Sequence, residues 1–254
     1  MLKCTFFMLF IFLRVVSRTI AEGSRDELER KYKFLVAIEL HGNHVCSGTI
    51  VHAALIVTVG SCLIRSNVPT DYTIRAGPII VSNLHVHNNT VFKIVGLIYN
   101  PNFVWMGQQR KRIYDAAILV LSEPLVFTDK IGKIELPAER EDIHPNTKAL
   151  VVGWNGYRLH VQKVIVLSNM DCYLKNKRFG ANLHDYPVDS QICANSFAKC
   201  DKDIGIPLIA DNKIYGMYSN HYQGCESGSP PMFTRMSKIR SWIYTIIRRY
   251  DSLK

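Results

Sequence analysis

The chain has 254 residues, 48% of them hydrophobic, and a formal net charge of +10. That length supports one substantial core or two small ones in contact. The basic residues are scattered except at Arg110-Lys111-Arg112 and near the carboxyl end, which argues for a solvated basic surface and against DNA or RNA as a specific partner.

In chain order, Lys3 and an apolar run from Cys4 to Leu13 lead into a short stretch ending at Val15, Val16 and Ser17. This is the layout of a secretory signal peptide, with a cut expected after Ser17 or after Ala21, so residues 1–21 are read as signal and 22–254 as the mature chain. A cut after Ser17 removes Lys3 and Arg14 and takes the charge from +10 to about +8. No second apolar block of about 18 residues or more follows, so no membrane span is expected.

From Phe34 onward short β-branched and aromatic runs alternate with turn residues. The expected strands are Phe34 to Leu40, Ala54 to Val59, Tyr72 to Ala76, Val91 to Tyr99 and Ala116 to Leu121. A seam around 123–140 follows, punctuated by Pro124 and Pro137, and then Ala149 to Trp154, Gln162 to Leu167, Ile206 to Ile209, Ile214 to Tyr218 and Met232 to Thr234. No long helical pattern interrupts them, so an antiparallel sandwich or barrel protein is expected, and composition does not separate two barrels from one larger sandwich. One helix is predicted over 237–250. There Ile239, Trp242, Ile243, Ile246, Ile247 and Tyr250 recur at three-and-four spacing, Ser237 is placed to cap the start, and Arg248 and Arg249 suit the final turns. The apolar face is expected to pack on the body of the protein.

Of seven cysteines, Cys4 leaves with the signal, and Cys46, Cys62, Cys172, Cys193, Cys200 and Cys225 remain. An even set in a secreted chain reads as three disulfides, with about fifteen pairings open. The sequon Asn88-Asn89-Thr90 makes Asn88 a glycosylation candidate in the same compartment.

Several segments resemble the chymotrypsin/trypsin-like serine protease family. Val45-Cys46-Ser47-Gly48-Thr49-Ile50 followed by Leu55-Ile56-Val57-Thr58-Val59-Gly60-Ser61-Cys62 is similar to the strand pair that ends in the family's Thr-Ala-Ala-His-Cys segment. Tyr99 to Phe103 and Tyr114 to Leu121 resemble the approach to its buried aspartate, and Val152-Gly153-Trp154 the opening of its second barrel. Ile192-Cys193-Ala194, Cys200 to Leu208, Gly216 to Ser219 and Pro230 to Arg235 continue the match in order. The resemblance implies an all-β fold of two packed antiparallel six-stranded β-barrels, about 30–125 and 141–236, with the carboxyl-terminal α-helix after them. It also implies the pairings Cys46–Cys62, Cys172–Cys193 and Cys200–Cys225.

The same resemblance places the catalytic positions, and the residue types there oppose catalysis. Acyl transfer by this machinery needs a hydroxyl activated by an imidazole that a buried carboxylate orients. Ser61 stands at the histidine position and has no basicity near neutral pH; Ile204 stands at the nucleophile position and has no lone pair. Asp115 remains at the carboxylate position, where a structural role with hydrogen bonds to backbone and to Ser61 is expected. Lys202 replaces the glycine of the oxyanion loop, where positive φ would be disfavoured. In the specificity pocket Ala198 followed by Lys199 replaces the acidic base, Asn220 and His221 replace Trp-Gly, and Pro231 replaces the opposite glycine, so a narrow or closed pocket is expected. In the family, cleavage creates an Ile-Val-Gly-Gly terminus whose amine pairs with the carboxylate matching Asp203. Here Ile20-Ala21-Glu22-Gly23 follows Arg18-Thr19, and Lys202 or Lys199 is the expected alternative partner of Asp203.

No metal or cofactor site is expected. His85 and His87 lie two apart on one strand face without further ligands, the region resembling the family's calcium loop lacks carboxylates, and His52 reads as a polar surface residue. The reading is a secreted, catalytically inactive homologue that binds protein, as cofactor, decoy or regulator of proteases or inhibitors. The expected contact surface is Trp105 to Arg112, led by Trp105, Arg110, Lys111 and Arg112, with the loop Asn176 to Tyr186. Two alternatives stand beside it: a residual or atypical serine-type hydrolase, and a module that binds anionic polysaccharide.

Overall fold

A computed structural model describes residues 25–77, 91–106, 111–155, 158–195, 203–222 and 228–252. The signal segment, the sequon at Asn88, the His85–His87 pair, Arg110, Ala198, Lys199, Lys202 and the Cys200–Cys225 pair all lie outside the described residues.

The chain opens with helix α1 (Arg25–Lys31), where Arg30 holds Asp26 four residues earlier at 2.8 Å. Strands β1 (Leu35–Leu40), β2 (Asn43–His52), β3 (Leu55–Thr58), β4 (Tyr72–Arg75) and β5 (Val91–Tyr99) follow. After them come a short hairpin of β6 (Val104–Met106) with β7 (Lys111–Ile113), and then β8 (Ala117–Leu121). The larger strands close into an antiparallel barrel in the order β1-β2-β3-β8-β5-β4. Its interior is built by β-branched and aliphatic side chains, among them Ile38, Ile50, Ile56, Ile74, Ile94 and Ile118, all fully buried. Truncating one of these to alanine is expected to cost about 2–5 kcal/mol.

The second half holds β9 (Lys148–Asn155), β10 (Arg158–Leu167), α2 (Asn169–Lys177), β11 (Gln191–Ala194), β12 (Pro207–Ala210), β13 (Lys213–His221), β14 (Pro231–Arg235) and α3 (Met236–Asp251). Its strands close as β10-β11-β14-β13-β12-β9. The fold is thus two closed six-stranded antiparallel barrels with a carboxyl-terminal helix. Between the barrels the 122–147 segment is not a free linker, because Leu125, Ile134 and Leu136 are buried and the Ile134 amide donates to the Ile50 carbonyl at 3.1 Å.

Two expectations about helices need correction. α2 was not anticipated, because only Cys172 and Asn176 are buried on it; its signal is the cap at Ser168, whose hydroxyl accepts from the Asp171 amide. α3 begins at Met236 and is not capped by Ser237. Arg235 occupies the cap position without a side-chain cap bond, since β14 runs straight into the helix and the Arg235 guanidinium is used on the Gln191 carbonyl and Asp142. The apolar stripe of α3 does pack on the body: Met236, Ile239 and Ile243 are buried, and Trp242, Ile246, Ile247 and Tyr250 lie against the first core. His52, expected at the surface, is tied to this helix through Asp251 at 3.2 Å and the Tyr250 ring.

Two disulfides are formed among the described residues. Cys46–Cys62 ties β2 to the turn Gly60–Arg65, and Cys172–Cys193 ties α2 to β11. Each restricts the unfolded chain, worth roughly 2–4 kcal/mol.

Candidate functional site: a cleft with its catalytic positions replaced

The register of β3 against β8, with Val57 opposite Ile118 and Thr58 opposite Ala117, brings the turn after β3 beside the turn before β8. Ser61 and Asp115 therefore meet, although 54 residues separate them. The Ser61 amide donates to Asp115 Oδ1 and the Ser61 hydroxyl to Oδ2, both at 2.7 Å. Ser219, on β13 of the second barrel, donates its hydroxyl to the same Oδ2 at 2.5 Å, and Thr234 donates to the Asp115 backbone carbonyl at 2.7 Å. The expected structural role of Asp115 thus appears as a four-bond anchor across both barrels.

Arg112 was expected on an outward contact surface. The structure turns its side chain inward to 21% exposure. The guanidinium donates to Ser61 Oγ at 3.0 Å and to the Ser219 carbonyl, and lies 3.9 Å from Asp115 Oδ2. Trp105 on the facing strand of the hairpin covers it, with the ring centroid 6.0 Å away. A cation thus sits against the carboxylate that the family keeps for orienting an imidazole. Burial pushes the Asp115 carboxyl up, opposed by the Ser219 bond, the Arg112 charge and the two Ser61 bonds. The Ser61 hydroxyl has its proton committed to Asp115 and accepts from Arg112, so it is not available for attack.

Ile204 packs its side chain against both cores, and its carbonyl accepts from the Ser47 amide at 2.9 Å. The next residue, Gly205, has φ +88°, and a Cβ there would stand 2.2 Å from the Ser47 carbonyl oxygen, so only glycine fits.

Asp203, just before them, is buried and partnered in a way the sequence reading did not anticipate. Its Oδ2 accepts from the Ser47 hydroxyl at 2.6 Å and from the Trp154 amide at 3.4 Å, and its Oδ1 meets His44 Nε2 at 3.1 Å. Lys202 and Lys199, expected in this role, lie outside the described residues. His44 and Ser47 are three apart on β2 and would face opposite ways in a regular strand. A bulge, at which pairing jumps from Ile38–Cys46 to Glu39–His44, absorbs Val45 and returns both side chains to one face. Burial alone would push the His44 imidazole down, but the hydrogen bond and charge of Asp203, with Glu39 beyond, hold it above its ordinary value. His44, Ser47 and Asp203 are not a catalytic triad, since Ser47 bonds Asp203 rather than His44.

In the specificity region His221 and Pro231 are both buried and face each other across β13 and β14, while Asn220 pairs with Met232. Tyr218 Oη and His221 Nδ1 are 2.5 Å apart, and burial lowers the His221 pKa to about 4. A neutral imidazole and a proline ring thus face each other across these strands. No group of three or more metal-ligating side chains occurs among the described residues.

The trypsin family model matches residues 21–243. The chain is 26% identical to the vitellin-degrading protease of Bombyx mori over 228 residues, covering 87% of this chain and 83% of that one. It is 27% identical to trypsin iota of Drosophila melanogaster over 230 residues, covering 87% and 86%. The structure of human heparin binding protein superposes with a TM-score of 0.70 at 21% identity, over 87% of this chain and 93% of that one. The chain therefore belongs to the trypsin family, as a member with the double-barrel fold and without the histidine and serine that family catalysis requires.

Proposed function

We propose that the protein is a secreted, non-catalytic trypsin-family homologue that works by binding protein, as a cofactor, decoy or regulator of proteases or their inhibitors. The observation that carries this reading is the Arg112 guanidinium bonded to Ser61 and Ser219 beside Asp115, which commits the old reaction centre to structure. The apolar signal-like segment and the sequon at Asn88 support an extracellular setting.

The proposed contact surface is led by Trp105, 47% exposed at the hairpin, with Arg112 as the internal brace; Arg110 and Lys111 join it on the strength of the sequence. The stretch Asn176 to Tyr186 supplies the second part and presents Leu183 at 77% exposure. Aromatic anchors on a braced frame are what a protein interface uses. The test pairs two measurements on the purified mature protein. An active-site-directed serine reagent should leave no label. Surface plasmon resonance against a panel of trypsin-family proteases and their protein inhibitors should find a binder whose affinity falls about tenfold or more for Trp105→Ala. Stoichiometric labelling, or affinity untouched by that substitution, sinks the respective half. A second reading, an anionic glycan as an additional partner, is supported by the net charge of +10 and the cavity described next.

A further inference from the structure

An open cavity of about 500 Å³ lies where α1, the start of β1, the 133–135 segment, β9 and the β12–β13 turn converge. It shares no residue with the cleft around Asp115. Tyr32, Phe34, Ile134, Leu150 and Ile209 form its apolar floor and walls.

Four lysines from three stretches of chain line it: Lys31 at the end of α1 and Lys33 before β1, Lys133 between the barrels and Lys148 at the start of β9. None of the four forms an ion pair among the described residues; Lys31 only overlies the Tyr32 ring, at 5.6 Å. Lys33, the one half-buried member of the four, differs in this from the half-buried Lys213, which has Glu141 at 2.8 Å, and Lys130, which has Asp26. Two carboxylates, Glu135 and Asp211, also line the cavity, and both act on Lys213. Four positive groups against two negative ones leave an excess of two positive charges over a concave, partly apolar surface. Seams between packed units are where ligand sites form.

We infer that this cavity binds a sulfated saccharide: the apolar walls take the CH-bearing face of one or two sugar rings, and the unpaired lysines take the sulfates. Ammonium groups on long stems suit this ligand, because they adjust to sulfates at variable ring positions, whereas a planar guanidinium favours one bidentate geometry. The inference rests on the glycan reading above and locates it.

The test uses a heparin hexasaccharide and titration calorimetry at about 0.15 M salt, where diffuse attraction is screened beyond about 8 Å. Replacing Lys31, Lys133 and Lys148, all exposed, by glutamine should weaken binding about tenfold or more and leave the melting temperature within a few degrees. Replacing Lys93, Arg248 and Arg249, equally exposed and outside the cavity, removes the same charge and should change affinity by no more than about threefold. A hyaluronan hexasaccharide, carboxylated but unsulfated, should bind at least about tenfold more weakly than heparin. Equal losses in the two triple variants, or full affinity in the cavity variant, overturn the site while leaving the glycan reading standing. Equal affinity for hyaluronan overturns the sulfate assignment, and absence of heparin binding by the unaltered protein overturns both.

Discussion

The two buried carboxylates of the old reaction centre, Asp115 and Asp203, are held by the same means up to a point and then differ. Each accepts a serine hydroxyl at short range, from Ser61 and Ser219 in one case and Ser47 in the other, and each takes a backbone amide. Their cations differ. Asp115 faces Arg112, charged at every accessible pH, and Asp203 faces His44, which titrates. The cation beside Asp115 thus keeps its charge as pH changes, whereas the one beside Asp203 gains or loses a proton.

The steric side of the Asp203 turn gives the largest expected effect. Gly205→Ala puts a methyl 2.2 Å from the Ser47 carbonyl oxygen at φ +88°, and Ser47 is itself the partner of Asp203. A loss of about 4 kcal/mol or more is expected in urea unfolding, because neither the backbone nor the carboxylate can move aside. Breaking the other site by Asp115→Ala strands the Arg112 cation and two serine hydroxyls, and about 3–5 kcal/mol should be lost. If that variant melts within a degree of the parent, the three bonds to the Asp115 carboxylate have no energetic weight.

Acid sharpens the comparison next. His221 is buried with its pKa lowered to about 4 against an ordinary 6.5, so the unfolded chain binds the extra proton between those values and the folded one does not. Its contribution is complete above pH 6.5 and declines as pH falls toward 4, by about 3 kcal/mol in all. His221→Phe should flatten the stability profile across that window, as read from melting temperatures at stepped pH. His44 works in the opposite sense. Its folded pKa is raised, so the stability it adds is complete below 6.5 and is lost as pH climbs through the raised value. His44→Gln should therefore remove a smaller, alkaline decline and leave the acid limb untouched.

Much of the fold was legible because barrel strands here are short runs of β-branched residues, and each of the ten predicted runs overlaps an observed strand. What escaped has definite causes. α1 and α2 carry too few buried side chains to produce a helical stripe, and capping or ion-pair signals at Ser168 and Asp26–Arg30 were all the sequence offered. The replacements at Ser61 and Ile204 were legible as residue types, since no environment gives an isoleucine a nucleophile. Their surroundings were not. A one-residue bulge decides that His44 and Ser47 share a face, and the inward turn of Arg112 depends on acceptors from residues 61 and 219, far apart in sequence.

The smallest expected effect is a null one, and it probes the Asp115 half alone. Ser61→His and Ile204→Ser restore the missing residue types, yet the double variant should hydrolyse a peptide ester no faster than the parent protein. The Arg112 guanidinium would remain against Asp115, and a cation there disfavours the imidazolium that must form as the serine loses its proton. His221 and Pro231, buried and paired across β13 and β14 where the sequence resemblance expects the pocket walls, would also remain. Adding Arg112→Ala removes the first obstacle and not the second, so the triple variant should also stay at background with substrates bearing a large side chain. Turnover by the double variant would show that Arg112 yields its place readily, and Asp115 would then be an orienting carboxylate held in reserve rather than one committed to joining the barrels.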